Sequence, residues 1–144
     1  MMQVSSVASA SLGAAAIHQM RFDAASGLLA PNEAAQRVVR AGASTRHLVL
    51  HPNGHVLYAI NEHDAAIGVF TLEPAHGTLA LVQTTVSLPR GFNITADGRW
   101  LIVAGQASGN LGVFNINTLT GALGAVGEHA VGRGPNWIET VRLA

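Results

Sequence analysis

The stretch RHLVLHPNGHVLYAINEH, residues 46–63, consists of two apolar runs that flank a Pro-Asn-Gly corner. An Asn-Gly pair between apolar runs is a strong hairpin signal, so the stretch predicts two antiparallel strands joined by a two-residue turn. The same arrangement recurs 44 residues later, where Asp97-Gly98 takes the place of Asn53-Gly54. This recurrence indicates that the chain is built from copies of one structural unit.

The repeat extends well beyond the hairpin. Gly68-Val69-Phe70 matches Gly112-Val113-Phe114 at the same spacing, and a partial third copy lies upstream, where residues 17–29 resemble residues 67–79. Each full copy divides at turn residues into four short strands, which in the first copy are predicted at 46–51, 56–62, 66–73 and 79–87.

Four strands per repeat and a period in the low forties are typical of β-propeller blades. The continuous apolar run LIVA at 101–104 fits a sheet that is covered on both faces. A β-sandwich is the alternative, but it would not explain the fixed period. We therefore predict an all-β fold, a partial β-propeller with about two full four-stranded blades, a flanking half-blade and a closing strand.

The predicted boundaries follow from the repeat. They are a poorly defined N-terminal segment at 1–11, a blade remnant at 12–41, blades at 42–88 and 89–132, and a closing strand at 133–144. An open stack of blades leaves an apolar face exposed at each end, so self-association through these faces is one expectation.

Composition excludes several classes of protein. Eight basic and eight acidic residues balance without a basic cluster, so no nucleic-acid partner is expected. The absence of cysteine excludes disulfides and thiolate metal sites. No apolar run reaches the roughly 18 residues of a membrane-spanning helix, and the N-terminus lacks the positive charge of a signal peptide, so a cytoplasmic location is expected.

No metal or cofactor is expected either. His51 and His55 are predicted to flank a solvated turn, which is a poor setting for a metal site. The glycines of GRGP at 132–135 lack the strand-then-helix setting of a phosphate-binding loop. Trp100 and Trp137 are interpreted as residues that pack between blades.

Polar side chains gather at the open end of the predicted hairpin. With a two-residue turn, Arg46 would face Asn61, and Glu62 would lie diagonally beside Arg46. The first strand of a blade lines the channel of a propeller, so these side chains and His47 would emerge at one mouth of it. Arginine suits a carboxylate or phosphate, and histidine and glutamate transfer protons. A salt bridge of purely structural role is equally compatible with these residues.

The chain resembles the β-propeller 6-phosphogluconolactonases, a family that includes the muconate-lactonising cycloisomerases. The resemblance spans about residues 12–143. The stretches that carry it are IHQMRFDAASGLLAPN (17–32), TRHLVLHPNGHVLYAINE (45–62), VFTLEPAHGTL (69–79), PRGFNITADGRWLIVAGQ (89–106) and AVGRGPNWI (130–138).

This resemblance implies a seven-bladed lactonase that hydrolyses 6-phosphogluconolactone, a small sugar lactone, to 6-phosphogluconate in the pentose phosphate pathway. Glu62 would be the acid or base near which a water is activated. The implied site residues are Arg46, His47 and Glu62 as catalytic groups, and Arg90, Asn61 and Gln106 as substrate-binding groups.

The chain also departs from the family pattern. It lacks an upstream region with another histidine-containing blade start, and a whole blade with a further functional arginine is missing between Leu88 and Pro89. The alternative interpretation is therefore a catalytically inactive propeller remnant, or a self-assembling or binding module.

Overall fold

The computed structural model describes residues 4–11, 15–39, 44–87 and 89–144, and every regular element in these ranges is a β-strand. The all-β prediction is therefore confirmed. No helix long and apolar enough to cross a membrane occurs in these ranges. The strands are β1 (Val4–Ser11), β2 (Ala16–Asp23), β3 (Leu28–Val38), β4 (Thr45–Leu50), β5 (Val56–Asn61), β6 (Ala66–Glu73), β7 (Thr78–Val86), β8 (Gly91–Ile94), β9 (Trp100–Gly105), β10 (Asn110–Ile116) and β11 (Leu123–Ala130).

The strands form three sheets in which each strand pairs with its neighbours in sequence. The first sheet is β1-β2-β3, the second is β4-β5-β6-β7, and the third is β8-β9-β10-β11. All pairs are antiparallel. The second and third sheets are the two complete blades that the repeat predicts.

The pairing register repeats together with the sequence. Leu50 pairs with Leu57 in the second sheet, and Ile94 pairs with Leu101 in the third, 44 residues further on. The turns that follow these pairs contain Gly54 at φ 75° and its equivalent at φ 71°. Glycine adopts this left-handed backbone without steric cost, so the same turn forms in both copies.

The β4–β5 turn is longer than the predicted two-residue hairpin. Residues 51–55 separate the two strands. The N–H of Gly54 donates to the carbonyl of His51 at 2.9 Å, and the N–H of His51 donates to the carbonyl of Val56 at 2.8 Å. The equivalent turn of the third sheet also has five residues and the same two backbone bonds, with Ala96 in place of Pro52, so the wider turn belongs to the repeat and does not depend on the proline.

His51 is buried, although a solvated position was predicted. Its Nδ1 accepts a hydrogen bond from the N–H of Asn53 at 3.1 Å, and its Nε2 lies 2.8 Å from the carbonyl oxygen of Gly98 in the third sheet. Because a carbonyl only accepts, Nε2 carries the proton. The prediction failed because the neighbouring blade, which covers this turn, is 47 residues away in sequence.

The first sheet has one strand more than the predicted half-blade. Its β2 and β3 correspond to the last two strands of a full blade. Residues 4–11, expected to be poorly defined, instead form β1, which pairs along the whole of β2 from Val4–Asp23 to Ser11–Ala16. Pairing satisfies backbone groups that β2 would otherwise leave open at an edge.

Residues 131–144 contain no strand, in contrast to the closing strand predicted at 133–144. The segment nevertheless runs alongside β8. Asn93 Nδ2 donates to the carbonyl of Ile138 at 3.2 Å, and Thr140 Oγ1 donates to the carbonyl of Ile94 at 3.0 Å. Side chains make these two bonds, so they do not constitute the ladder of backbone bonds that defines a strand.

The apolar core lies between the sheets, on both faces of β5. Alternate residues of a strand point to opposite faces. One set, represented by Tyr58 and Ile60, packs against the third sheet, and the other, Leu57 and Ala59, packs against residues such as Ile17 of the first sheet. Every residue of β5 is buried, as a sheet covered on both faces requires.

Candidate functional site

A bulge at the start of β4 positions the predicted site. Thr45 pairs with Asn61, and Arg46 is the extra, unpaired residue before His47. The prediction that Arg46 faces Asn61 is therefore wrong by one residue. A bulge redirects a side chain locally, and here Arg46 Nη1 donates to both carboxylate oxygens of Glu62, at 3.1 and 3.2 Å. The predicted proximity of these two side chains is confirmed.

Glu62 also binds an arginine of the next blade. Arg90, which immediately precedes β8, donates from Nη1 to Oε1 of Glu62. We call Arg46, Glu62 and Arg90 the rim cluster. Their side chains are 39%, 30% and 32% exposed, respectively. Two guanidinium groups and one carboxylate leave a net positive charge, and guanidinium groups bind carboxylates and phosphates well.

Asn61 lies beneath the rim cluster. It is only 2% exposed, and its Oδ1 accepts a hydrogen bond from Thr45 Oγ1 at 2.9 Å. The bond fixes the end of β5 next to Glu62, whose own N–H donates to the carbonyl of Ser44 at 3.1 Å. Asn61 thus supports the carboxylate from below and is not brought to the surface of the site.

Three neighbouring chain segments line a cleft of about 360 Å³ next to the rim cluster. These are the first residues of β4, the first residues of β8, and residues 137–138 of the C-terminal segment. We call this space the channel cleft. Its walls come from the innermost strands of two blades and from the segment that follows the third sheet, which is the arrangement expected around a propeller channel.

His47 lies in the channel cleft between cationic and aromatic groups. Partial burial lowers the pKa of His47, and the guanidinium groups of Arg46 and Arg90 lower it further, while Glu62 opposes them. The imidazole is therefore neutral at neutral pH and able to accept a proton. Its ring centroid lies 6.4 Å from that of Trp137, at an interplanar angle of 71°.

A second cleft, of about 370 Å³, opens on the other side of the rim cluster. Glu62, Arg90 and the exposed Gln106 of the β9–β10 turn line this side cleft. The structure thus brings together five of the six residues predicted for the site, around two adjoining clefts. The sixth, Asn61, lies below them.

Trp137 is the residue of the site that sequence reasoning missed. It was interpreted as a packing residue, but 69% of it is exposed, and it lines the channel cleft. It lies within the stretch AVGRGPNWI, which is one of those that carry the family resemblance. That position could have indicated a role in the site, but tryptophan is more often a packing residue and was interpreted as one. Among the described residues, no three histidine or carboxylate side chains cluster closely enough to hold a metal ion.

Consecutive four-stranded sheets, whose first strands share one cleft, define the class of β-propeller proteins. The model of a family described as "Lactonase, 7-bladed beta-propeller" matches residues 3–89 and 64–140, and the chain belongs to this family. The two matches overlap, as expected of a chain built from repeats.

Individual relatives agree with this assignment. A 6-phosphogluconolactonase of Pectobacterium carotovorum is 30% identical over 174 residues, covering 83% of this chain and 52% of the relative. One of Sodalis glossinidius is 38% identical over 96 residues, covering 65% and 29%. A solved structure from Bacteroides fragilis, provisionally named a 6-phosphogluconolactonase, superposes with a TM-score of 0.80 at 21% identity, covering 94% and 43%, and supports the fold.

The chain spans about half the length, or less, of the relatives it matches. The alignment with the Pectobacterium protein is longer than the 144 residues of this chain. The relative therefore contains residues inside the aligned region that have no counterpart here.

Proposed function

We propose that this chain is a lactone hydrolase that acts on 6-phosphogluconolactone. The observation that carries the proposal is the rim cluster, in which a carboxylate is held between two guanidinium groups beside a neutral His47. This combination offers a binding site for an anion and two groups that can accept a proton. The names of the curated relatives supply the substrate.

Substrate binding would change the rim cluster. The phosphate group of the substrate competes with Glu62 for Arg90, and Gln106 of the side cleft adds a hydrogen-bond donor. As Arg90 turns to the phosphate, it frees a lone pair on Oε1 of Glu62. Arg46 and His47 then face the lactone carbonyl from the channel cleft.

Hydrolysis would follow at the freed carboxylate. A water oxygen bonds to the carbonyl carbon of the lactone while one water proton passes to Glu62. Arg46 stabilises the negative charge that develops on the carbonyl oxygen. The bond from that carbon to the ring oxygen breaks as the ring oxygen takes up the proton held by Glu62, so the ring oxygen leaves as a hydroxyl and Glu62 returns to its carboxylate form. The carboxylic acid product ionises and releases one proton to solvent.

Proton release in a pH-stat tests the proposal. The lactone also opens without a catalyst, so the rate without protein is subtracted. We expect a protein-dependent rate for the wild type and a loss of about 100-fold or more for Glu62→Gln, the range typical of a missing acid or base. Glu128→Gln is the matched control, because Glu128 is an exposed acceptor from Asn110, with a bond of 3.0 Å, on β11.

Two results would contradict the proposal. A wild-type rate equal to the background would show that this chain does not hydrolyse the lactone. Equal rates for Glu62→Gln and Glu128→Gln would move the proton transfer away from Glu62.

The second candidate is a self-assembling propeller segment without catalytic activity. Large apolar side chains are exposed on the sheets at both ends of the described stack: Leu28 is 69% and Leu29 is 54% exposed on β3, and Val126 is 59% exposed on β11. Large apolar side chains that are exposed on a protein surface can mark a surface for association. Size-exclusion chromatography with light scattering separates the candidates, since a folded monomer at all concentrations contradicts self-assembly.

A further inference from the structure

We propose that Trp137 is a stacking platform for the ring of the ligand in the channel cleft. Its ligand class, a sugar-derived ring with an anionic group, rests on the proposed function. The indole forms an open aromatic wall of the cleft.

The indole ring of Trp137 is held in one orientation yet left open. Its Nε1 donates to Oε1 of Glu139 at 2.9 Å, and one side of the ring contacts His47 in an edge-on arrangement. With 69% of the residue exposed inside a concave cleft, most of its apolar surface has no partner among the described residues. A ring of suitable size would bury that surface and gain free energy from it.

The backbone under Trp137 is fixed by β8. A Cβ atom at Gly91 would lie 2.3 Å from the carbonyl oxygen of Asn136, so only glycine at position 91 lets the C-terminal segment approach this closely. The hydrogen bonds from Asn93 to Ile138 and from Thr140 to Ile94 attach the C-terminal segment to the following residues of β8. The indole is therefore held beside β8, although its own segment is not a strand.

The surroundings of the indole select the ligand. Arg46 lines the channel cleft together with the apolar Val49 and Phe92. A volume of about 360 Å³ accommodates a small ligand. The site suits a molecule with an anionic group for Arg90 of the adjoining rim cluster and a ring whose C–H face lies on Trp137. A simple anion would use the first contact only.

A comparison of two stable probes tests the proposal. Glucose 6-phosphate carries both a ring and a phosphate, whereas inorganic phosphate carries the charge alone. Binding of each is measured by calorimetry for the wild type, Trp137→Leu and Trp137→Phe. We expect Trp137→Leu to weaken glucose 6-phosphate about tenfold, the magnitude of one good aromatic contact, and to leave phosphate unchanged. Trp137→Phe retains an aromatic face and should recover most of the affinity.

Fluorescence gives an independent measurement. The chain has two tryptophans. In a Trp100→Phe background all indole emission comes from Trp137, and Trp100 begins β9 at the end opposite to the site. Titration with glucose 6-phosphate should change this emission, and the concentration at half of the change should agree with the dissociation constant from calorimetry.

Three results would overturn the proposal. They are equal affinity of the wild type and Trp137→Leu for glucose 6-phosphate, an equal loss for both probes, or a wild type that binds phosphate but not the sugar phosphate. These results differ from those that would contradict the proposed function. A chain that binds the ring through Trp137 but does not hydrolyse the lactone would contradict the hydrolase activity and leave the role of Trp137 intact.

Discussion

Replacing Tyr58 by phenylalanine removes one hydrogen bond between two blades and should change how stability depends on pH. The hydroxyl of Tyr58 donates to the carbonyl oxygen of Gly121 at 2.7 Å, and the side chain is fully buried in the core between the second and third sheets. Phenylalanine keeps the packing but leaves that carbonyl buried without its donor. At neutral pH we expect a loss of about 1–2 kcal/mol in the free energy of unfolding.

Alkaline pH should reverse the order of the two proteins. Burial raises the pKa of Tyr58 from 10.0 to about 12. Because the unfolded chain ionises first, the contribution of Tyr58 is fully present below pH 10 and is lost as the pH rises through the folded pKa. A shift of this size amounts to a loss on the order of 2 kcal/mol by pH 12. The stabilities of the wild type and Tyr58→Phe should therefore become equal at about pH 11.

Urea unfolding followed by circular dichroism at a series of pH values measures both effects. Ionisation of other groups affects the two proteins alike and cancels in their difference. Tyr58 is the only tyrosine, so the near-ultraviolet absorbance of phenolate reports its pKa in the folded protein directly. Stability curves that stay parallel from neutral to alkaline pH would refute the reasoning, and so would phenolate formation near pH 10 in folded protein.

Two further predictions concern single positions. Gly121→Ala should cost about 2–4 kcal/mol of stability, since Gly121 has φ +78° and a Cβ would lie 2.6 Å from Val56 Cγ1. Gly54→Ala is the control for backbone strain alone, because Gly54 has φ +75° and open space around a Cβ, and it should lower the free energy of unfolding by less. An equal loss for both variants in urea unfolding would contradict the clash with Val56. The pKa of His47 is lowered from 6.5 in the folded protein. Its contribution to the free energy of unfolding is therefore fully present above pH 6.5 and is lost as the pH falls through the folded pKa. Arg46→Met should raise that pKa in an NMR titration, and an unchanged value would exclude the cationic contribution.

The fold was predictable to the extent that the repeat is local. Asn53-Gly54 and Asp97-Gly98 mark equivalent turns, and the register of the two complete blades follows the same 44-residue spacing. The prediction was less accurate at the edges. Residues 4–11 form a strand because the edge of β2 offers backbone partners, and residues 133–144 form none. Both outcomes depend on which neighbour is available, a property that no local window of sequence contains.

The candidate site divides in the same way. The sequence placed Arg46 and Glu62 at one end of a hairpin, because alternation and turn position suffice for that. The meeting of Glu62 with Arg90 joins two blades, and the one-residue bulge redirects Arg46. No sequence pattern predicts either the contact between the two blades or the position of the bulge.

The sequence by itself determined the repeating unit, its four strands, and the family to which the chain is similar, because turn chemistry and strand alternation act over a few residues. Only the tertiary structure decided which polar groups share a cleft, the burial of His51 and the exposure of Trp137. Contacts of that kind join residues of different blades, and packing between sheets, not local preference, selects them.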